Sequence, residues 1–246
     1  MNAIDEQKEA PMKVTDVLIV GGGLSGLYVA RNMLGQHSWK LLEASERLGG
    51  RLANLGSIDM GGAWIWPEHQ PNMRELVSSL PVKTFEQPDD ETSTRIVGGA
   101  VQIVDELARG LGEDAADKIH LNSIVVSCKL LEHGEVVQVE TKAGDTYFAR
   151  QVVFAVPPKL LFKTVSFHPL LSADKRAVMN ASSTWMAGVT KVALVYPSRF
   201  WDLTASNMGL PGNGPAFQVY DSSTYDMEVT ALTFFAYVPP NSIAQT

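Results

Sequence analysis

Residues 15–26 read TDVLIVGGGLSG and determine the architecture of the first half of the chain. The first six residues are rich in β-branched side chains and contain the continuous apolar run VLIV, which is typical of a strand buried on both faces of a parallel sheet. The next six fit the pattern G-x-G-x-x-G at the start of a predicted helix over residues 24–36. A strand, a glycine-rich turn and a helix in this order predict the first unit of a dinucleotide-binding domain.

The three glycines of this turn have separate physical roles. Gly21 permits the tight turn, Gly23 lets the backbone approach a pyrophosphate, and Gly26 allows the helix to pack closely on the strand. The first helical turn, with Leu24 and Ser25, supplies N–H donors to an anion, and the helix dipole favours negative charge there. We therefore expect phosphate to be bound by backbone.

A second short strand, Trp39–Leu42, completes a βαβ unit and is followed directly by Glu43. An acidic side chain at this interval accepts hydrogen bonds from the ribose hydroxyls of an adenine nucleotide and disfavours a 2′-phosphate. Because the strand, the helix and the acid occur together, they favour a nucleotide site over an ordinary glycine-rich turn.

The composition is that of an ordinary globular protein without a basic surface for nucleic acid. The 246 residues are 45% hydrophobic and 19% charged, the formal net charge is −7, and lysines and arginines are scattered. The single cysteine, Cys128, rules out a disulfide framework and is expected to be a buried, inert thiol. The five histidines are isolated from one another, so no metal site is predicted.

The N-terminal residues 1–11 are polar and acidic, which predicts a disordered leader rather than a signal peptide. No uncharged apolar run is long enough to cross a bilayer. We therefore expect no membrane partner and a cytoplasmic location.

Beyond the first unit, the sequence predicts more strands than helices. Residues 67–90 are rich in Pro, Asp and Glu and predict a domain crossing or a surface excursion. Predicted helices cover residues 72–80, 101–111 and 172–180, and predicted strands cover 124–131, 136–141, 146–149, 151–156, 189–196 and 229–238. The strands between 124 and 149 are expected to form an antiparallel meander.

The segment LLEASERLGGRL, which contains Glu43, resembles the second flavin fingerprint, E-x-x-x-x-x-G-G-R, of the flavin-containing amine oxidases. This family includes polyamine oxidases, L-amino acid oxidases and histone demethylases. The resemblance implies bound FAD, with Glu43, Ala44, Gly50 and Arg51 as cofactor-binding residues. Arg51 would lie near the diphosphate, because a planar guanidinium matches phosphate oxygens. Ser45 departs from an arginine that the family often has there, which would weaken contacts on the adenosine side.

The resemblance continues in DMGGAWIWP, residues 59–67, which is similar to the family's glycine-rich segment beside the isoalloxazine ring. It implies that Gly61, Gly62, Ala63 and Trp64 bind the cofactor, since small residues let backbone approach a flat ring. For the two tryptophans of this segment, ordinary core packing is the alternative.

Two later segments extend the resemblance to the rest of the cofactor site. Val125, in HLNSIV, resembles a family valine that packs on the adenine. Ala155 and Pro157, in FAVPP, match the family's A-x-P-P exit from the cofactor domain.

The implied fold is α/β: a Rossmann-like FAD-binding domain with a parallel sheet and a β-meander, plus a smaller α+β substrate domain. The expected division places residues 12–68 and 96–160 in the FAD-binding domain and residues 69–95 and 161–246 in the substrate domain.

Lys191 is the candidate catalytic residue. In VTKVALVY, strand alternation places its ammonium group in an otherwise apolar row, where an unpaired charge would lower its pKa or find a partner. The context T-K-V-A-L-V-Y-x-x-x-F-W resembles the family strand whose lysine holds a water against flavin N5, which implies assistance to reoxidation by dioxygen. A snorkelling surface lysine at a strand edge is the alternative.

By this resemblance, the reaction would be oxidation of a small amine. Hydride passes from the carbon beside a neutral amine to the flavin, the imine hydrolyses, and dioxygen takes the electrons as hydrogen peroxide. Two alternatives stay open: an FAD-binding remnant without turnover, and an FAD enzyme that oxidises carbon–carbon bonds, as in desaturases and protoporphyrinogen oxidases. The sequence leaves the substrate undecided, and it leaves a homo-oligomer open.

The chain departs from the family in two places. The interval between Trp66 and Gly98 is much shorter than the family's helical substrate insertion, which predicts a small or open cavity. Neither a W-A-G-E-like run nor a terminal G-x-x-x-G-A helix is present, so a chain complete at residue 246 would lack part of the flavin cradle. The family's attaching cysteine lies in that C-terminal segment, so the FAD is expected to be non-covalent.

Overall fold

The computed structural model describes residues 13–88, 90–131, 134–184, 186–201 and 216–237. The leader expected at residues 1–11 lies outside these ranges, as does residue 238 of the last predicted strand. The described helices are α1 (Leu24–Met33), α2 (Pro71–Ser78), α3 (Val101–Arg109), α4 (Pro158–Thr164) and α5 (Ala173–Ala181). The described strands are β1 (Val14–Val20), β2 (Trp39–Leu42), β3 (Asn54–Leu55), β4 (Ile58–Asp59), β5 (Thr84–Gln87), β6 (Asp90–Ile96), β7 (Ile119–His120), β8 (Val125–Leu130), β9 (Val137–Thr141), β10 (Thr146–Phe154), β11 (Ser166–His168), β12 (Val189–Tyr196), β13 (Ala216–Asp221) and β14 (Thr230–Tyr237).

A seven-stranded sheet in the order β11-β8-β9-β10-β1-β2-β7 carries the first unit. Strand β1 pairs in parallel with both β2 and β10, and β2 pairs in parallel with β7. Strands β8, β9 and β10 form an antiparallel meander at one side. The predicted α/β fold, with its parallel sheet and meander, is confirmed.

Strand β1 is buried on both faces, as its apolar run predicts. Ile19 faces a core with Leu27 of α1 and Leu107 of α3, whereas Leu18 faces a second core that includes Cys128. Ile19 and Leu18 are both fully buried, and each such side chain stabilises the fold by about 2 kcal/mol. Cys128 is buried, as expected, and burial raises the pKa of its thiol. These two layers hold the turn after β1 in place.

Two predicted strands, 146–149 and 151–156, are one continuous strand, β10. Strand β9 pairs with residues 146–149, as in Thr146 opposite Glu140, and β1 pairs with β10 from Phe148 to Phe154. The polar Arg150 is exposed and interrupts the apolar pattern without breaking the backbone. The prediction of a break there was wrong, because β1 pairs with β10 on both sides of this polar position.

The other element bounds follow the predictions at most sites. Strand β12 has the predicted bounds, whereas α1 ends at Met33 rather than at residue 36, because Gly35 adopts a left-handed conformation with φ +71°. Strands β11 and β13 and helix α4 were not predicted. Helix α4 begins at Pro158, and a proline is suited to this first position because its N–H would have no partner within the helix. None of the described helices combines the length and the apolar character needed to cross a bilayer.

The polar interval before Gly98 contains more structure than expected. After α2, strands β5 and β6 form an antiparallel hairpin, hereafter the β5–β6 hairpin (residues 84–96). Its buried side chains are mostly polar, including Gln87, Ser93 and Arg95, so no apolar alternation marks it in the sequence. Of the two interpretations of residues 67–90, a surface excursion does not describe the buried end of this interval, and a domain crossing stays a prediction.

A separate three-stranded antiparallel sheet has the order β12-β14-β13. Lys191 of β12 lies directly opposite Phe235 of β14. Strand β11, at residues 166–168, belongs to the seven-stranded sheet, which therefore extends beyond residue 160. The division of the chain into an FAD-binding and a substrate domain stays a prediction.

Candidate functional site

The glycine-rich turn joins β1 to α1 at the carboxyl end of the parallel strands. Gly21 has φ +108°, a conformation that favours glycine, and its N–H donates to the carbonyl of Leu42 at 2.8 Å. A Cβ added to Gly26 would overlap the carbonyl oxygen of Gly21. Both glycines are therefore required by the fold itself, as the sequence predicts.

Gly23 is different, because nothing in the described part of the chain requires a glycine there. Its φ of −75° is open to any residue, and an added Cβ would find its nearest neighbours, Gly49 O and Gly50 Cα, at 3.9 Å. Gly23 is the N-cap of α1, no side chain caps that helix, and no acidic residue lies in its first turn. The N–H groups of the first turn, at Leu24 and Ser25, lack intrahelical partners and are suited to an anion. This geometry fits a diphosphate group.

Glu43 is buried and held in a fixed orientation beside this turn. Its Oε2 accepts the N–H of Gly22 at 2.6 Å, and its Oε1 accepts the N–H and the hydroxyl of Ser45 at 2.8 and 2.7 Å. Both lone pairs of Oε1 are therefore used by Ser45, whereas Oε2 has a further lone pair for a ribose hydroxyl. Ser45 thus orients the acid, a role that the sequence analysis did not foresee.

The segment before β8 also lies against Glu43. The N–H of Ser123 donates to the carbonyl of Glu43 at 2.8 Å, and the N–H of Asn122 donates to that of Ser45 at 2.9 Å. Val125 lies two residues after Ser123 and is buried in the second core. The predicted adenine-side residues, Glu43 and Val125, are therefore neighbours in the fold, whereas Ala44 is exposed.

The Gly-Gly-Arg segment packs against the same turn. The N–H of Gly49 donates to the carbonyl of Gly22 at 2.9 Å, and Gly50 has φ +54°. The side chain of Arg51 is exposed, and its carbonyl accepts the N–H of Gly62 at 3.4 Å. These contacts bring the two fingerprints and the DMGG segment together.

Arg47 is a site residue that the sequence analysis missed. Its guanidinium donates to the carbonyls of Leu48, Gly50 and Leu52 at 3.0, 2.9 and 3.1 Å. The side chain therefore holds the Gly-Gly-Arg loop in shape. Its place inside the fingerprint, between Glu43 and the glycines, was the available signal.

The exit from β10 completes this end of the sheet. The N–H of Ala155 donates to the carbonyl of Val20 at 2.8 Å, and a Cβ on Gly21 would lie 2.8 Å from the carbonyl oxygen of Ala155. Pro157 is the N-cap of α4. Both residues thus follow the carboxyl end of β10 beside the glycine-rich turn.

Lys191 reaches from β12 to the segment after β4. Its Nζ donates to the carbonyls of Asp59 and Gly61, both at 2.9 Å, and lies 4.9 Å from the centre of the Trp64 ring. Burial lowers the pKa of Lys191 to about 8, the Asp59 carboxylate opposes this shift, and the Arg95 guanidinium adds to it. The ammonium group is thus partnered within the protein, unlike a snorkelling side chain in water.

Trp64 packs in an aromatic cluster. Its ring centre is 5.0 Å from that of Tyr220 and 6.0 Å from that of Phe235, and its indole N–H donates to Gln87 Oε1 at 3.0 Å. Neighbouring Ala63 is buried, and Gly62 is exposed. The interior packing considered for Trp64 is therefore present, and a cofactor contact of this residue stays a prediction.

The fold and the turn are those expected of a dinucleotide-binding α/β protein, and comparisons with known proteins specify its family. The family model for flavin containing amine oxidoreductases matches residues 24–97 and 89–245. This chain belongs to that family.

Curated relatives match parts of the chain. An L-amino acid dehydrogenase of Synechocystis sp. is 36% identical over 116 residues, which is 45% of this chain and 24% of the relative. A probable flavin-containing monoamine oxidase A of Dictyostelium discoideum is 28% identical over 142 residues, 57% of this chain and 29% of the relative. The aligned stretches thus span about a quarter of the length of these relatives.

Solved structures support the fold. Wild-type putrescine oxidase bound to putrescine aligns with a TM-score of 0.78 at 20% identity, over 96% of this chain and 78% of that chain. Cyclohexylamine oxidase from Brevibacterium oxydans aligns with a TM-score of 0.72 at 17% identity, over 95% of this chain and 79% of that chain. At these identities the likeness concerns the fold alone.

Proposed function

We propose that this protein is an FAD-dependent oxidoreductase that oxidises a small amine at its carbon–nitrogen bond, with dioxygen as the electron acceptor and hydrogen peroxide as a product. The observation that carries the proposal is the open space at Gly23. The fold does not need a glycine there, and a diphosphate held by the first turn of α1 does.

The residues around the turn provide the grip on FAD. The N-terminus of α1 would bind the diphosphate, Glu43 would accept the ribose hydroxyls, and the exposed Arg51 would pair with phosphate oxygens. Because Cys128 is buried in the second core, the cofactor is held without a covalent bond to that thiol.

When bound, FAD supplies the redox chemistry, accepting a hydride from the amine and passing the electrons on. The protein contributes orientation around Lys191. Two of the three donors of its ammonium group are used by the carbonyls of Asp59 and Gly61, which leaves one to hold a water molecule. With a pKa of about 8, this group exchanges a proton near neutral pH more readily than an ordinary lysine does.

The first test is FAD binding by the purified chain. We expect yellow protein whose flavin is released on heating, and a Glu43→Gln variant whose FAD affinity is at least about tenfold lower, because a charged acceptor is lost. Glu46→Gln removes a neighbouring exposed carboxylate and is the matched control, with unchanged affinity. Colourless protein that takes up no added FAD would overturn the proposal.

The second test is turnover with a panel of small amines, followed as hydrogen peroxide. Peroxide formed in proportion to the amine consumed supports an amine oxidase. FAD-loaded protein that oxidises none of the amines favours the alternative of binding without turnover, and oxidation of carbon–carbon bonds favours a desaturase-like enzyme.

A second candidate is an amine dehydrogenase that passes its electrons to an acceptor other than dioxygen. It is favoured by the relative at 36% identity, which is named an L-amino acid dehydrogenase. An anaerobic assay with a redox dye and L-amino acids distinguishes the two. Dye reduction without peroxide formation in air supports the dehydrogenase.

A further inference from the structure

Arg95, on the β5–β6 hairpin, is a buried cation that joins segments far apart in the sequence. Its side chain is 4% exposed, its Nη1 donates to the carbonyl of Ser223 at 2.9 Å, and its Nη2 donates to that of Ser222 at 3.3 Å. The same Nη2 lies 4.0 Å from Asp59 Oδ2. The guanidinium therefore ties the turn after β13 to the end of β4.

Asp59 contacts both Arg95 and Lys191. Its Oδ1 accepts the N–H of Ala100 at 2.7 Å, which fixes the carboxylate at the start of α3. Its backbone carbonyl accepts Lys191 Nζ at 2.9 Å. One residue thus receives Arg95 through its side chain and Lys191 through its backbone.

This cluster contains two basic side chains, Arg95 and Lys191, and one acidic side chain, Asp59. The side chains of Asp59 and Arg95 are 3% and 4% exposed, and the charged groups that act on Lys191 are the Asp59 carboxylate from β4 and the Arg95 guanidinium from β6. The rings of Trp64 and Phe235, which carry no titratable group, lie against the ammonium group. Since a guanidinium keeps its proton in proteins, Lys191 is the cation that can become neutral.

We propose that Arg95 is a positioning residue for Lys191: its guanidinium holds the Asp59 carboxylate, and through Asp59 it places the carbonyl that receives the ammonium group. The inference rests on the proposed function, in which Lys191 serves the flavin site. Among the contacts described above, Arg95 is the one buried cation other than Lys191 in this cluster.

The test is a direct titration of Lys191, which needs no turnover. Protein labelled with 13C at lysine Cε is titrated by NMR with and without FAD, and the Lys191 signal is assigned by its loss in Lys191→Arg. We compare the wild type with Arg95→Met, Arg95→Lys and Asp59→Asn. Circular dichroism checks that each variant is folded, and Arg95→Gln replaces Arg95→Met if the latter does not fold.

The three variants distinguish the effect of the Arg95 charge from that of a general loosening of the packing around Lys191. Arg95→Met is expected to raise the Lys191 midpoint by about one pH unit, because a neighbouring buried charge is removed. Arg95→Lys should keep it near the wild-type value, and Asp59→Asn should lower it, because the favourable carboxylate is lost. Loosening would instead hydrate Lys191 and raise the midpoint in all three.

Equal midpoints in wild type and Arg95→Met, or equal rises in Arg95→Met and Arg95→Lys, would overturn the role of Arg95. Failure of the proposed function has a different signature, since FAD would then neither bind to the wild type nor alter the Lys191 signal. The two failures are therefore distinguishable in one set of spectra.

Discussion

Two glycines three residues apart in the same turn illustrate how the fold and the ligand impose separate demands. Gly26 has no room for a Cβ, because the carbonyl of Gly21 occupies that space. Gly23 has room and an ordinary backbone conformation. The G-x-G-x-x-G pattern predicts separate roles for these two glycines, and the packing around each is consistent with that prediction.

Replacing Gly23 by alanine is therefore expected to affect binding and not folding. The free energy of unfolding of FAD-free protein should change by less than about 1 kcal/mol, since the new methyl group meets no close atom. FAD affinity should fall at least about tenfold, because the methyl group blocks backbone approach to the diphosphate. Chemical denaturation and a fluorescence titration with FAD measure the two effects.

Gly26→Ala is the matched comparison in the same turn. It should destabilise the FAD-free protein by about 1–3 kcal/mol or more, because α1 must move away from β1. An FAD affinity of Gly23→Ala equal to that of the wild type would contradict the assignment of this turn.

At the scale of single elements, the hydrophobic pattern predicted the bounds of β12 correctly, whereas it divided β10 into two strands at an exposed polar residue. Strand β10 runs from the meander into the parallel sheet, and its exposed Arg150 interrupts the apolar pattern although β1 pairs on both sides of it. The β5–β6 hairpin was missed because its buried side chains, such as Gln87, are polar and therefore give no hydrophobic pattern. Gln87 bonds Trp64 and the carbonyl of Asp221, which lie far away in sequence.

The continuity of β10 can be tested by hydrogen exchange. Peptides spanning residues 149–151 should exchange slowly, like those from β1, because this stretch is paired strand. Peptides from residues 170–172, which lie between β11 and α5 and include Leu170 at 72% exposure, are the internal control and should exchange fast. Equally fast exchange in both regions, followed by mass spectrometry, would restore the two-strand interpretation.

At the scale of the whole molecule, the cluster of Asp59, Arg95 and Lys191 connects the β5–β6 hairpin, the end of β4 and the three-stranded sheet. Burial raises the pKa of Asp59, although the Ala100 N–H and the two cations oppose this shift. The stability of the molecule therefore depends on the protonation of groups at its functional site.

The pH dependence of stability should reveal Lys191. Its folded pKa of about 8 lies below its ordinary value of 10.5, so the unfolded chain binds more protons between these pH values. Stability relative to Lys191→Met should therefore rise from about pH 8 to 10.5, by no more than about 3 kcal/mol given solvent screening.

Urea denaturation at a series of pH values measures this difference. The exposed Lys175 on α5 provides the matched control, and Lys175→Met should follow the wild-type profile. A constant difference between wild type and Lys191→Met across the range would show that the ammonium group is not held as the structure indicates.

The sequence by itself determined the first βαβ unit and the bounds of β12, and it predicted the residues of the candidate nucleotide site other than Arg47, because strand periodicity, glycine conformation and the spacing to Glu43 are local properties. Only the tertiary structure decided which partners Lys191 has, since it lies 132 residues from Asp59 in the chain. It also decided the roles of Gln87 and Arg95. Buried polar side chains have no periodic signature, and their burial is stable only where distant segments supply their hydrogen bonds.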